Sequence, residues 1–277
     1  MRRLVRWQQV VSRRSYSVKR GNSLWHIDGH YSLIRWRMVV HGGIDGYSRM
    51  IVYLACSTNN KSLTVYKLFK EATEDFGVPS RVRSDKGGQN VLVCQFMVTL
   101  RGTGRASHIA GSSVHNQRIE RLWRDVYRCV CSTYHELFYA MEAMGFLDPV
   151  SDTDLFVLHC VYLPRINRSL DEFARAWNLH PIRTERNWSP QQIMINSLIR
   201  EADISTSIDI PSQDFGVDPE GPVAEEDVGT VEIPATDPPL EEEELQALLD
   251  HVDIVSSFED LGVQHYVDCR QLLQSML

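Results

Sequence analysis

Three acids stand in surroundings that a solvated carboxylate does not need. Asp28 lies in the middle of an apolar, β-rich run, WHIDGH; Asp85 closes a second short run, RVRSD; and Glu120 sits near the start of HNQRIERLWRDV, among Arg118, Arg121 and Arg124. An ionised carboxylate inside a buried strand is costly unless a cation or hydrogen bonds compensate it. Gly29 after Asp28, and Gly87-Gly88 after Asp85, let a ligand approach the backbone closely. Three carboxylates gathered at one edge of a sheet repel one another, and divalent cations relieve that repulsion. Hard oxygen donors select Mg²⁺ or Mn²⁺ over zinc or copper. Two such ions ~3.5–4 Å apart activate a water or a 3′-hydroxyl and stabilise the leaving oxygen of a phosphodiester. Each acid also has a plainer reading. Glu120 pairs with Arg124 at i, i+4 for ~0.2–0.5 kcal/mol, Asp28 caps a turn, and Asp85 starts an Asx-turn ahead of its glycines.

The elements that would carry these acids are legible in the hydrophobic pattern. SLWHIDGHYSLI, WRMVVHGGID and MIVYLACS are three β-rich runs separated by short breaks, which reads as an antiparallel meander. NKSLTVYKLFKEATEDFG has apolar residues at helical spacing and is stopped by Gly77 and Pro79. SRVRSD and RASHIAG read as short strands, NVLVCQFMVTLRG as a helix between them, and a long helix carries Glu120. The order β-β-β-α-β-α-β-α implies an α/β fold with a mixed sheet covered on both faces. Further helical segments run to about residue 199. In the last of them Ser189 is the N-cap candidate and Pro190 the first helical residue.

Charge divides the chain. Residues 1–200 hold 28 Lys+Arg against 16 Asp+Glu, and residues 201–277 hold 1 against 20. A basic body with an acidic tail suggests a polyanion-binding surface and a segment that shields it or recruits a protein partner. The first twenty residues carry seven basic and no acidic side chains. That suits a transit peptide or a basic arm along a phosphate backbone. Residues 201 to about 239 hold Pro211, Pro219, Pro222, Pro234, Pro238 and Pro239 among acids, which predicts disorder. A short amphipathic helix is expected near 240–252. The six cysteines show no C-x-x-C spacing and read as free thiols without structural zinc. No window is apolar for long enough to span a membrane.

The residues resemble a known family. Asp28 and Asp85 are 57 apart, and Asp85 and Glu120 are 35 apart, similar to the D-D-35-E arrangement of retroviral-type integrases and related transposases. IDGYSRMIVYL resembles the family's second-strand motif, VRSDKGGQN the segment around the second acid, and VHNQRIERLWRD the helix start. FARAWNLHPIRTERNWSPQQIM resembles the closing motif. More narrowly, HGGIDGYSR and HNQRIERLWRDV look like animal integrase-core proteins derived from transposable elements. The resemblance covers roughly residues 1–199.

The resemblance implies an RNase H-like mixed β-sheet flanked by helices; the hydrophobic pattern adds a helical C-terminal extension, and composition adds an acidic disordered tail. Its expected divisions are a basic arm over 1–21, a catalytic core over 22–199 and a tail over 200–277. Asp28, Asp85 and Glu120 would be catalytic and would hold two Mg²⁺ or Mn²⁺ ions. Asp45 would be structural, bonding the turn with Ser48 and Arg49. Lys86, Asn116, Gln117, Arg121, Arg124 and Arg128 would contact nucleic acid. The implied partner is DNA, the implied form a homo-oligomer, and the implied location the nucleus, with the cytoplasm as alternative. The chain departs from the family by showing neither an N-terminal zinc or helix-turn-helix domain nor a basic C-terminal domain, as a truncated or domesticated copy would. Two other functions therefore stand beside DNA strand transfer: a catalytically inactive nucleic-acid-binding protein and an RNase H-like nuclease.

Overall fold

Alternation along WHIDGH decides the centre of the molecule. In an extended strand Trp25 and Ile27 turn to one face, and His26, Asp28 and His30 to the other. A computed structural model describes residues 18–102, 104–111, 116–201, 231–236 and 261–276. It contains β1 (Trp25–His30), β2 (Val39–Asp45), β3 (Ile51–Ser57), α1 (Ser62–Phe76), β4 (Val82–Ser84), α2 (Val91–Arg101), β5 (His108–Ala110), α3 (Gln117–Val126), α4 (Ser132–Ala143), α5 (Asp152–Leu179), α6 (Pro190–Glu201) and α7 (Val263–Met276). A π-helical turn, Tyr127–Cys131, joins α3 to α4.

The sheet order is β3-β2-β1-β4-β5. β1–β2 and β2–β3 are antiparallel, while β1–β4 and β4–β5 are parallel. This is the expected mixed sheet of an RNase H-like fold. Trp25 and Ile27 enter a core with Val52, Val65, Phe69, Ala72, Val82, Val93 and Met97, from neighbouring strands and from α1 and α2. The opposite face packs on α3, α4 and α5 through residues such as Val40, Ile44, Ile119, Leu122, Phe138 and Leu158. β1 ends at His30, earlier than the run SLWHIDGHYSLI suggests. The chain then turns through a 3₁₀ segment, Ile34–Trp36, and Arg37 follows with φ 56°.

The long helix α5 covers the open edge of the sheet. Asn167 accepts from the Cys56 amide (2.7 Å) and donates to the Cys56 carbonyl (3.1 Å). Asn178 does the same for Ile51, at 2.8 and 3.0 Å. Eleven residues of helix rise about 16.5 Å, and the five residues of strand between Ile51 and Cys56 rise about 17 Å. Two amides one helix length apart therefore substitute for a missing strand at both ends of β3. Trp177, beside Asn178, donates its indole N–H to the Arg49 carbonyl (2.8 Å). α6 starts with a reciprocal cap: Ser189 Oγ accepts from the Gln192 amide (3.2 Å), and Gln192 Oε1 accepts from the Ser189 amide (3.0 Å).

One helix is not anticipated in the sequence: within the span 200–277, expected to be a largely disordered tail, Val263–Met276 is helical. Tyr266, Cys269 and Leu273, at i, i+3 and i+7, are buried with the α5 core, and Arg270 pairs with buried Asp154 at 2.8 Å. The amphipathic helix expected near 240–252 lies outside the described residues, as do residues 1–17 of the basic arm. The arm's last residues are fixed, since the Gly21 amide donates to Ser197 Oγ of α6 (2.8 Å).

Asn167→Leu keeps the side chain's size and leaves two backbone groups of β3 without their partner. An unsatisfied buried group costs about 1–3 kcal/mol. Urea unfolding of the variant should show a loss of that size with the slope unchanged, and wild-type stability would contradict the clamp.

Candidate active site

β1 and α3 run side by side, and four contacts set their register. His26 Nδ1 bonds Asn116 Oδ1 (2.8 Å), while Asn116 Nδ2 donates to the Ile27 carbonyl (2.9 Å). One end of the amide must face that carbonyl, so the oxygen faces the ring, and His26 donates from Nδ1. Burial, with Arg83 and Arg118 nearby, lowers His26 to about 3 against the pull of Asn116, so the ring stays neutral. Asn116 immediately precedes α3, and its backbone carbonyl accepts from the Glu120 amide (3.3 Å). Two residues along β1, Trp123 Nε1 donates to Asp28 Oδ2 (3.0 Å). Two further on, His30 stacks on Trp123, with ring centroids 5.3 Å apart and planes 16° from parallel.

Gly42 makes that approach possible. It pairs directly with Asp28 on β2, and a Cβ there would lie 2.6 Å from Trp123 Cη2. The indole reaches Asp28 across a gap in the sheet surface.

Asp85 follows β4, which is parallel to β1, so it leaves the same end of the sheet as Tyr31. Its carboxylate is gripped by its own loop. Oδ1 accepts from the Gly87 amide (3.1 Å) and Asn90 Nδ2 (2.7 Å), and Gln89 Nε2 lies 3.3 Å from both oxygens. The bond to Gly87 is the Asx-turn that the glycines suggested.

The three acids share one electrostatic field. Burial pushes Asp28 up to about 8, and the charges of Glu120 and Asp85 push the same way, against the hydrogen bonds from Trp123 and Gly29. Glu120 is raised by burial and then by Asp85. Among the described residues no ion pair joins Glu120 to Arg124. All three donors are hard carboxylates whose charges oppose one another, which fits Mg²⁺ or Mn²⁺. As they stand, no three His, Cys, Asp or Glu side chains among the described residues are close enough to hold one ion together.

The other site residues separate into surface and interior. Lys86, Arg121, Arg124 and Arg128 are exposed, and Arg128 pairs with Asp125 at 3.0 Å. Gln117 is the first residue of α3, and its side chain lies outside the described set. Asn116, expected to contact nucleic acid, is buried with both ends of its amide on β1. It anchors the start of α3 rather than presenting itself to a ligand. Asp45 is fully buried away from the cluster. It accepts from the Asn22 amide (2.9 Å), the Tyr47 amide (3.2 Å), and the Ser48 amide and hydroxyl (2.7 Å each). Arg49 closes that turn with φ 66° and pairs with Glu185 at 3.0 Å. The sequence reading missed Trp123 and His26. Both carry a signal in retrospect: Trp123 is one turn after Glu120, and His26 shares Asp28's face of β1.

The chain matches the family model "Integrase core domain" over residues 15–207, and it belongs to that family. No curated protein matches it. Among solved structures it is similar to the HTLV-2 integrase catalytic core domain in complex with magnesium. The trimeric form is 14% identical, with 64% of this chain and 99% of that one covered and a TM-score of 0.44. The dimeric form is 16% identical, with 64% and 98% covered and a TM-score of 0.42. The simian T-cell lymphotropic virus intasome in complex with PP2A regulatory subunit B56 gamma is 14% identical, with 66% and 59% covered and a TM-score of 0.43.

The raised Asp28 gives a pH signature. Its unfolded value is about 4 and its folded value about 8, so between them the folded state binds the extra proton. The stability this contributes is complete below about pH 4 and is lost as pH rises through about 8. In chelated buffer the wild-type Tm should fall between pH 5 and 8.5, and Asp28→Asn should fall less, at roughly 2–4 °C per kcal/mol for a chain of this size. Mg²⁺ at pH 8.5 should raise the wild-type Tm and leave the variant unchanged. Equal pH slopes would contradict the assignment.

Proposed function

We propose that the chain catalyses integrase-type phosphoryl transfer on DNA, cutting a strand with water and joining one with a 3′-hydroxyl. The observation that carries this reading is the arrival of Asp28, Asp85 and Glu120 from a strand, a loop and a helix in one field, where the charges of Glu120 and Asp85 add to the cost of ionising Asp28 and that of Asp85 to the cost of ionising Glu120. Membership of the integrase core domain family supports DNA as the substrate. In this reading the three carboxylates hold Mg²⁺ or Mn²⁺, which when bound activates the attacking oxygen and stabilises the leaving one.

The protein's own groups prepare that site. Trp123 and the Gly29 amide orient Asp28, the 87–90 loop orients Asp85, and Asn116 fixes the helix that presents Glu120. Lys86, Arg121, Arg124 and Arg128 take DNA phosphates as charge-assisted donors. A homo-oligomer acting in the nucleus belongs to the same proposal. A second reading, nucleic-acid binding without catalysis, is favoured by the absence of a ready three-ligand cluster among the described residues.

Supercoiled plasmid incubated with the protein and Mn²⁺ separates the two readings. Nicking by wild type that drops to background in Asp85→Asn is the expected result. Salt-sensitive DNA binding with equal background from both proteins would favour the binding protein.

A further inference from the structure

A short piece of the acidic span is held on the body of the protein. Residues 201–260 hold 19 acids and no lysine or arginine. Within them, residues 231–236, VEIPAT, lie without helix or strand against the body. Asn60 Nδ2 donates to the Val231 carbonyl (3.4 Å), and Arg37 Nη1 donates to the Ala235 carbonyl and to Thr236 Oγ1 (3.1 Å each). Glu232 between these holds is exposed.

Both anchors stand at the active end of the sheet. Arg37 is in the connection from β1 to β2, and Asn60 in the connection from β3 to α1. The strand directions place these at the same end as Asp85. Asn60 Nδ2 also donates to the Tyr31 hydroxyl (3.1 Å). Tyr31 folds back over Gly29, the neighbour of Asp28, where an added Cβ would come 3.2 Å from its hydroxyl. Burial raises that hydroxyl to about 12, and the charges of Asp28 and Asp85 add to the rise. One amide thus touches both the acidic segment and the ring that covers the backbone beside the first acid.

We propose that residues 231–236 form an intramolecular strap that holds Glu232 at the approach to Asp28, Asp85 and Glu120 and competes there with nucleic acid. The inference rests on the nucleic-acid reading of the site. The strap is tethered on both sides, by α6 before it and by α7 after it, where α7 is docked on α5 through Tyr266, Cys269 and Leu273. Tethering gives a weak contact a high effective concentration. The three hydrogen bonds, two from the Arg37 guanidinium and one from the Asn60 amide, all end on uncharged acceptors, so a polyanion competes well for the arginine.

The test measures binding of a fluorescent DNA duplex to the full-length chain by anisotropy at low salt. Arg37→Gln combined with Asn60→Ala removes the three hydrogen bonds to the strap. It also removes one positive charge, which by itself weakens polyanion binding, so tighter binding points to strap release. The expected gain is about 5-fold or more, the lower end of ordinary coupling between sites. Glu232→Gln, at an exposed position, should tighten binding in the same direction. Equal affinities of wild type and both variants would overturn the strap and leave the site reading standing. Absence of DNA binding by every protein would overturn both.

Discussion

Carboxylates that share a field resist sharing it, and the architecture around the end of the sheet holds them there. Asp28 comes from the central strand, Asp85 from the loop after its parallel neighbour, and Glu120 from the helix laid along β1. Each is fixed by a different device. A tryptophan N–H reaches Asp28 through the space left by Gly42. A tight loop folds its own donors onto Asp85. Glu120 is fixed only through the backbone of its helix, whose start is fastened by Asn116. Burial raises the proton affinities of Asp28 and Glu120, and the repulsion between the acids adds to the rise.

This constraint explains why so much of the fold is devoted to rigidity around β1. The apolar side of the strand is packed under α1 and α2, while the polar side meets α3. The edge of the sheet is closed by α5 with two asparagines at matched spacing. Trp177 and Asn178 fasten the end of that helix to the turn and to β3. Asp45, the acid that does not join the cluster, holds the same turn from inside. A site built from mutually repelling groups supplies no cohesion of its own and needs these supports.

The order of strands and helices was legible from hydrophobic period and turn residues, and so was the cap at Ser189. Asp28 stood out as a carboxylate inside an apolar strand, and the sheet shows that it faces away from the apolar core of Trp25 and Ile27. What the sequence hid depends on register between elements. Asn116 reads as a polar residue at a basic helix start, and only the position of α3 on β1 turns it inward. Trp123 reads as core, and its N–H gains a role only because Gly42 opens a path to Asp28. α7 was missed because its buried stripe is narrow and sits in a polar, acidic context. Its partner Asp154 lies more than a hundred residues away.

The most direct measurement is an anomalous difference map from a crystal soaked in Mn²⁺. The expected result is a peak bound by the Asp28 carboxylate together with Asp85 or Glu120. Peaks confined to surface acids, with none at Asp28 under saturating Mn²⁺, would contradict it.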